Sequence, residues 1–137
     1  MLRIETKSRA RALQLLYAWE LQGTPPMAQV ATGLSRLTGP EPRVLDRAER
    51  LASEVVANLE LLDAEAARGA EHWRMSRIAT VERNILRLGI HELTRGDVPP
   101  KVAIDEAVRL AHWFGGARAP GFVNGVLDGI ARSLGRL

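Results

Sequence analysis

The residues best suited to chemistry in this 137-residue sequence are cations placed near its single tyrosine. Lys7, Arg9 and Arg11 occupy the N-terminal segment, and Tyr17 follows on the same predicted helix. Cationic side chains bind phosphates, and an exposed aromatic ring stacks on an unpaired base. If Trp19 joins the core, Tyr17 lies about 200° away around the helix and points toward its edge or surface. The segment therefore suits RNA binding, and the ordinary alternative is a solvated basic tail.

Two further clusters carry polar or cationic side chains in helical patterns. In the first, Arg83 and Arg87 are four residues apart beside Glu82, so they share one helix face. In the second, Phe122 and Asn124 lie near a predicted helix start, where unpaired N–H groups favour an anion. The residues alone favour structural interpretations for both: a solvated face, and a buried phenylalanine beside a locally hydrogen-bonded asparagine.

The sequence contains no arrangement typical of a catalytic or metal site. It has no cysteine, and His72, His91 and His112 match no metal-binding spacing, so we expect them on helix surfaces or ends. No serine has the flanking glycines of a nucleophile elbow. Asp105 and Arg109 predict an ordinary i,i+4 helix pair. We therefore expect no enzymatic activity, no cofactor and no metal.

Length, composition and charge favour a cytoplasmic, single-domain protein over a membrane or secreted one. The length fits one domain, and no run approaches the ~18 apolar residues of a membrane span. Charges interrupt the first residues, unlike a signal peptide, so we expect a cytoplasmic protein. All 19 basic residues except Lys7 and Lys101 are arginine, whose planar fork fits phosphates. Two basic zones, 1–11 and 68–87, flank an acidic zone, 41–65.

Apolar residues recur at helical spacing almost throughout, which predicts an all-α fold. Glycines and prolines separate the helical segments, and Gly69 and Gly96 lie where a helix C-terminus favours glycine. Gly125 and Gly129, four residues apart, predict close helix packing. The first ten residues lack a core stripe, so we expect them to be mobile. A short turn is expected over 72–75. The predicted helices span 5–21, Pro25 or Pro26 to Leu37, 43–68, 78–94, 99–114 and 119–135.

Four ordered blocks of the sequence resemble the NusB family of transcription antitermination factors. The blocks are Arg9–Trp19, Glu82–Arg87, Asp97–Ala107 and Phe122–Asp128. The resemblance covers essentially the whole chain and is weakest over 22–70. It implies a single all-helical domain over 1–137, with about six to seven helices in two packed subdomains. These are an N-terminal subdomain at 11–68, preceded by a basic arm at 1–10, and a C-terminal subdomain at 70–137.

The resemblance also implies a function and partners. It implies binding to boxA of nascent ribosomal RNA, as a single strand, together with the small-subunit ribosomal protein NusE. That complex would load onto RNA polymerase with other Nus factors and suppress premature termination. No membrane is implied, and both monomers and homodimers are consistent with the resemblance.

Carried over position by position, the resemblance implies a set of RNA-binding residues. The basic arm would hold phosphates, Tyr17 would contact a base, and residues of two later helices would line and close the RNA path. Loop 115–121 offers Arg118 where relatives usually carry an acidic residue, which is either a further phosphate contact or loop variation. The full set is Lys7, Arg9, Arg11, Tyr17, Glu82, Arg83, Arg87, Arg118, Phe122 and Asn124.

Two alternatives belong to other classes of protein. The same helical module resembles the N-terminal RNA-binding domain of a ribosomal RNA cytosine methyltransferase, which would require a Rossmann-like domain beyond residue 137. The second alternative is a purely structural interaction protein, whose acidic helix 43–68 docks a basic partner. Absence of any RNA affinity would favour the latter.

Overall fold

The computed structural model describes residues 2–38, 41–70 and 77–137, and the regular structure in these ranges is helical throughout. Because no strand occurs in them, the prediction of an all-α fold is confirmed. None of these helices combines the length and apolarity needed to cross a bilayer. Within the described ranges the helices are α1 (Ile4–Leu21), α2 (Met27–Thr38), α3 (Pro42–Ala57), α4 (Leu59–Gly69), α5 (Thr80–Arg95), α6 (Pro100–Phe114) and α7 (Ala119–Ser133).

The predicted continuous helix over 43–68 is wrong, because Asn58 interrupts it. The backbone of Asn58, with φ −117° and ψ 22°, separates α3 from α4. The chain divides at this point into two compact units, Met1–Ala57 and Asn58–Leu137. The resemblance implied subdomains at 11–68 and 70–137, whereas α4 belongs to the second compact unit.

In the first unit, α1 packs against α3, and α2 contacts both. Apolar residues of α1 are buried, including Leu16 and Trp19. The start of α1 differs from the mobile arm expected from the sequence. The helix begins at Ile4, and Thr6 and Ser8 are buried. The Ser8 hydroxyl donates to the Ile4 carbonyl at 2.7 Å, so the backbone itself satisfies this buried polar group.

In the second unit, α5 forms the centre and contacts α4, α6 and α7. Its middle is buried, and Ile85 and Ile90 there are fully enclosed. Gly69 allows the end of α4 to approach α7, because a Cβ there would lie 2.6 Å from Cγ1 of Ile130. Gly96 ends α5 in the left-handed region, at φ 76°, as its position in the sequence predicted.

Several expectations about individual side chains were wrong. His91 lies in the middle of α5 with 5% of its surface exposed, because it faces the interior of the second unit. His112 is exposed in the last turn of α6, as expected, whereas His72, like the turn expected over 72–75, lies outside the described residues. Gly125 and Gly129 are exposed, and a Cβ at either would meet no described atom within 4 Å, so they mediate no close packing among the residues that the structure describes.

The predicted ion pair on α6 forms with a different acid. Nε of Arg109 lies 3.0 Å from Oε2 of Glu106, at spacing i,i+3, rather than pairing with Asp105. Glu106 is 9% exposed, so this carboxylate does not lie on a solvent face. On a helix, Arg109 can reach an acidic residue three or four positions earlier. The buried carboxylate of Glu106 needs a charged partner more than the exposed Asp105 does, which favours the pair with Glu106.

Candidate nucleic-acid interface

Tyr17 is exposed on α1, whereas Trp19 is buried. The exposed fractions are 39% and 7%, which confirms the expectation that a core position for Trp19 turns Tyr17 toward solvent. An aromatic ring held on a helix and open to water can present a face to an unpaired base.

The cations of α1 occupy two different sides of the helix. At about 100° per residue, Lys7 and Arg11 share a face, and Arg9 lies about 200° from Lys7. Nζ of Lys7 lies 3.4 Å from Oε2 of Glu41, and both side chains are substantially exposed. Nη1 of Arg11 donates to Oε1 of Gln14 at 2.8 Å. Lys7 and Arg11 therefore share one side of α1 and Arg9 lies on another, and all three residues are half-buried.

In the second unit, Glu82 holds the loop between α6 and α7. Its Oε1 accepts a hydrogen bond from the backbone N–H of Gly116 at 3.2 Å. The neighbouring Gly115 is closely confined, because a Cβ there would lie 2.6 Å from Cβ of Ala119. A carboxylate at the start of α5 thus fixes the loop that leads into α7. This role differs from direct contact with RNA, which the resemblance implied for Glu82.

Arg83 lies at the start of α5 and bonds to the backbone that precedes it. Its Nη1 donates to the carbonyl of Ile78 at 2.9 Å, and its Nη2 lies 3.4 Å from Oγ1 of Thr80. The side chain is half-buried, so part of it is open to solvent. These bonds tie the Arg83 side chain to the segment that leads into α5 and to the first residue of that helix, Thr80.

Arg87, one turn further along α5, is buried in an ion pair. Its Nε and Nη2 donate to the two carboxylate oxygens of Asp63 on α4, at 2.7 and 2.9 Å. Its Nη1 donates to Oδ1 of Asn84 at 2.9 Å, and Nδ2 of Asn84 donates in turn to the carbonyl of Thr80. Only 6% of Arg87 is exposed. This geometry favours a structural role over the RNA contact that the resemblance implied, and it also differs from the solvated face that the residues alone favoured.

The remaining predicted residues lie at the start of α7. Arg118 and Asn124 are exposed, and Phe122 is half-buried, so the alternative of a fully buried phenylalanine does not hold. The backbone N–H of Phe122 donates to the carbonyl of Arg118 at 3.1 Å, which continues the helix from that residue. Arg118 follows two residues after Gly116, so the loop held by Glu82 leads directly to it.

Sequence reasoning missed two exposed aromatic rings at the end of α6. Trp113 is 44% exposed and Phe114 is 39% exposed. Their ring centroids are 6.4 Å apart with an interplanar angle of 86°, and the Arg109 guanidinium lies 5.8 Å from the centroid of the Trp113 ring. The signal was available, because consecutive residues on a helix point about 100° apart and rarely both face the core.

No group of three or more acidic or histidine side chains that could hold a metal ion occurs among the residues described. The α1 surface and the start of α7 instead offer cations and aromatic rings that are exposed or half-buried. Such side chains suit binding to phosphates and bases rather than chemical catalysis.

Comparisons with known proteins cover nearly the whole chain. The NusB family model matches residues 6–132. Transcription antitermination protein NusB of Solibacter usitatus is 40% identical over 133 residues, covering 93% of this chain and 88% of that protein. Its counterpart in Sorangium cellulosum is 42% identical over 130 residues, covering 94% and 92%. In a crystal structure of antitermination factors NusB and NusE with double-stranded RNA, one chain matches with a TM-score of 0.83, at 28% identity, covering 97% of this chain and 99% of that chain.

Proposed function

The chain belongs to the NusB family, and from this we propose that it binds boxA of nascent ribosomal RNA together with NusE and promotes antitermination. It acts by recognition, without catalysis and without a cofactor. The complex joins RNA polymerase and other Nus factors in the cytoplasm. The relatives bear the name of antitermination proteins, and they favour this function over the RNA-binding module of a methyltransferase.

The observation that carries the proposal is the exposed ring of Tyr17 on the same helix as Lys7 and Arg11. Lys7 is already paired with Glu41, but exposed pairs of this kind contribute only about 0–1 kcal/mol, so Lys7 can exchange that partner for a phosphate. Arg11 bonds to a neutral side chain, Gln14, and a phosphate would form a stronger, charge-assisted bond with it.

The residues divide into contacts and supports. We assign Lys7, Arg9, Arg11, Arg83 and Arg118 to phosphates, and Tyr17, Phe122 and Asn124 to bases. Glu82 and Arg87 support only the part of the second unit to which they belong, through Gly116 and Asp63. A carboxylate repels phosphate, so a supporting role suits the charge of Glu82 better than a contact with the backbone of RNA.

A titration of labelled RNA tests the proposal. We expect single-stranded boxA RNA to bind more tightly than a scrambled strand or a duplex at the same salt concentration. NusE that contacts the same RNA adds interactions without a second loss of rotational freedom. We therefore expect its addition to tighten boxA binding by roughly tenfold or more, about 1.4 kcal/mol.

The variant Tyr17→Ala tests the residue on which the proposal rests. We expect its dissociation constant for boxA to rise about 5-fold to 150-fold, the range for losing one stacked base. The matched control is Leu21→Ala, which removes another exposed apolar side chain from the end of α1. Equal affinities of the wild type for boxA, scrambled and duplex RNA, with and without NusE, would exclude the proposed function. Equal boxA affinities of wild type and Tyr17→Ala would exclude the base contact.

A further inference from the structure

The function proposed above assigns no role to the two aromatic residues at the end of α6, Trp113 and Phe114. We propose that Trp113 and Phe114, with Arg109, form a second stacking site for an unpaired base of the bound RNA. The inference rests on the proposed function, because it extends the RNA surface of the second unit. It assigns a ligand class, a nucleobase, to residues that neither the sequence motifs nor the family resemblance singled out.

The first support is the shape of the pair. The two rings meet nearly at a right angle, at 86°, and about two-fifths of each residue is open to solvent. Such a corner offers one ring to stack on a base and the other to contact its edge. Every base has a π-face, so stacking of this kind requires no particular sequence.

The second support is charge. The segment from 107 to 127 contains two arginines, Arg109 and Arg118, and no aspartate or glutamate. The Arg109 guanidinium lies 5.8 Å from the Trp113 ring centroid, in the range of a cation–π contact. A cation beside an exposed ring suits a nucleotide, whose base stacks while its phosphate is attracted by the arginine. Arg109 also pairs with Glu106, which fixes its position beneath the ring.

The third support is continuity with the candidate interface. Phe114 immediately precedes the two glycines of the loop, and the second of them, Gly116, is bonded to Glu82 at the start of α5. Arg118 lies two residues further on, at the start of α7. The end of α6 therefore lies beside the residues already assigned to RNA, and a strand that reaches Arg118 passes close to the aromatic pair.

Three variants of the full chain test the proposal. Trp113→Ala removes the ring, and we expect it to raise the dissociation constant for boxA RNA by about 5-fold or more. Trp113→Phe keeps a π-face and is expected to restore most of the affinity. Val102→Ala is the matched control, because it truncates another exposed apolar side chain of α6, at its opposite end. Melting temperatures of all three verify that the fold is intact.

Abasic substitutions in the RNA identify the contact. Each nucleotide of the boxA strand is replaced in turn by an abasic one, and the wild type and Trp113→Ala are titrated with every strand. If a base stacks on Trp113, one abasic position weakens the wild type but leaves Trp113→Ala almost unchanged. The proposal would be overturned if every abasic substitution weakened the wild type and Trp113→Ala by the same factor. It would also be overturned if Trp113→Ala bound the unmodified boxA strand as tightly as the wild type does.

Two other outcomes are distinguishable from these. If Trp113→Ala binds RNA normally but loses affinity for NusE, the pair is a protein contact and the proposal is wrong. If the wild type itself binds no RNA, with or without NusE, the function proposed for the whole chain fails, and this site fails with it.

Discussion

Arg87 provides the sharpest separation between a structural and an RNA-binding role. Replacing it with methionine keeps most of the aliphatic stem but removes two bonds to Asp63 and one to Asn84. Removing one partner of a buried ion pair costs about 3–5 kcal/mol. The side chain of Asp63 is 33% exposed, so water can solvate the freed carboxylate. We therefore expect a loss of about 3 kcal/mol in the free energy of unfolding, the lower end of that range.

Urea and thermal denaturation, followed by circular dichroism, measure this loss. A decrease of about 3 kcal/mol corresponds to roughly 10 °C in melting temperature for a chain of this size. Asp63→Asn and the double variant complete a cycle, in which we expect a coupling energy of about 1–3 kcal/mol. The matched control is Arg132→Met on α7, whose pair with Asp128 is exposed and should contribute at most about 1 kcal/mol.

The competing assignment of Arg87 to a phosphate predicts the opposite pattern. Loss of one phosphate contact flattens the dependence of log affinity on log salt concentration by about 0.7 for single-stranded RNA. Arg87→Met would then melt near the wild-type temperature and bind RNA with a shallower salt slope. That combined result would refute the structural role argued from the bonds to Asp63.

Three further predictions follow from the same structure. Gly69→Ala should lower the free energy of unfolding by about 1–3 kcal/mol, because its Cβ overpacks against α7. Gly125→Ala meets open space and should instead raise it by up to about 1 kcal/mol, and thermal denaturation measures both changes. Glu82→Ala should accelerate hydrogen exchange at the Gly116 amide, and Glu82→Gln, which keeps an acceptor, should largely preserve its protection. Lys7→Met should flatten the RNA salt slope by about 0.7 while leaving the melting temperature within a few degrees, because its ion pair is exposed.

Helix positions were largely predictable because they follow from local patterns. The start of α6 at Pro100 and the end of α5 at Gly96 each depend on one residue whose backbone preference is strong. The break at Asn58 was not predictable in this way. Apolar residues continue at helical spacing on both sides of it, and asparagine is not a strong helix breaker. Packing of α4 with the second unit, rather than local preference, accompanies this break.

Side-chain environments were predictable only where one helix determines them. The exposure of Tyr17 followed from its angle to Trp19 on α1. The burial of His91 did not follow from its own helix, since it depends on the helices that surround α5 and enclose even its polar positions. A single apolar stripe predicts one buried face, whereas a central helix is buried on most of its circumference.

Arg83 and Arg87 show where sequence spacing stops being informative. They are one turn apart on α5, and spacing assigns them to one face and one role. In the structure, Arg83 bonds to the backbone just before its own helix. Arg87 is buried and bonds to the carboxylate of Asp63, 24 residues earlier in the chain. A buried guanidinium requires such a partner, because desolvation of an unpaired charge costs several kcal/mol. The position of Asp63 on α4 therefore decides the role of Arg87, and the break at Asn58, which the sequence pattern conceals, is what separates α4 from α3.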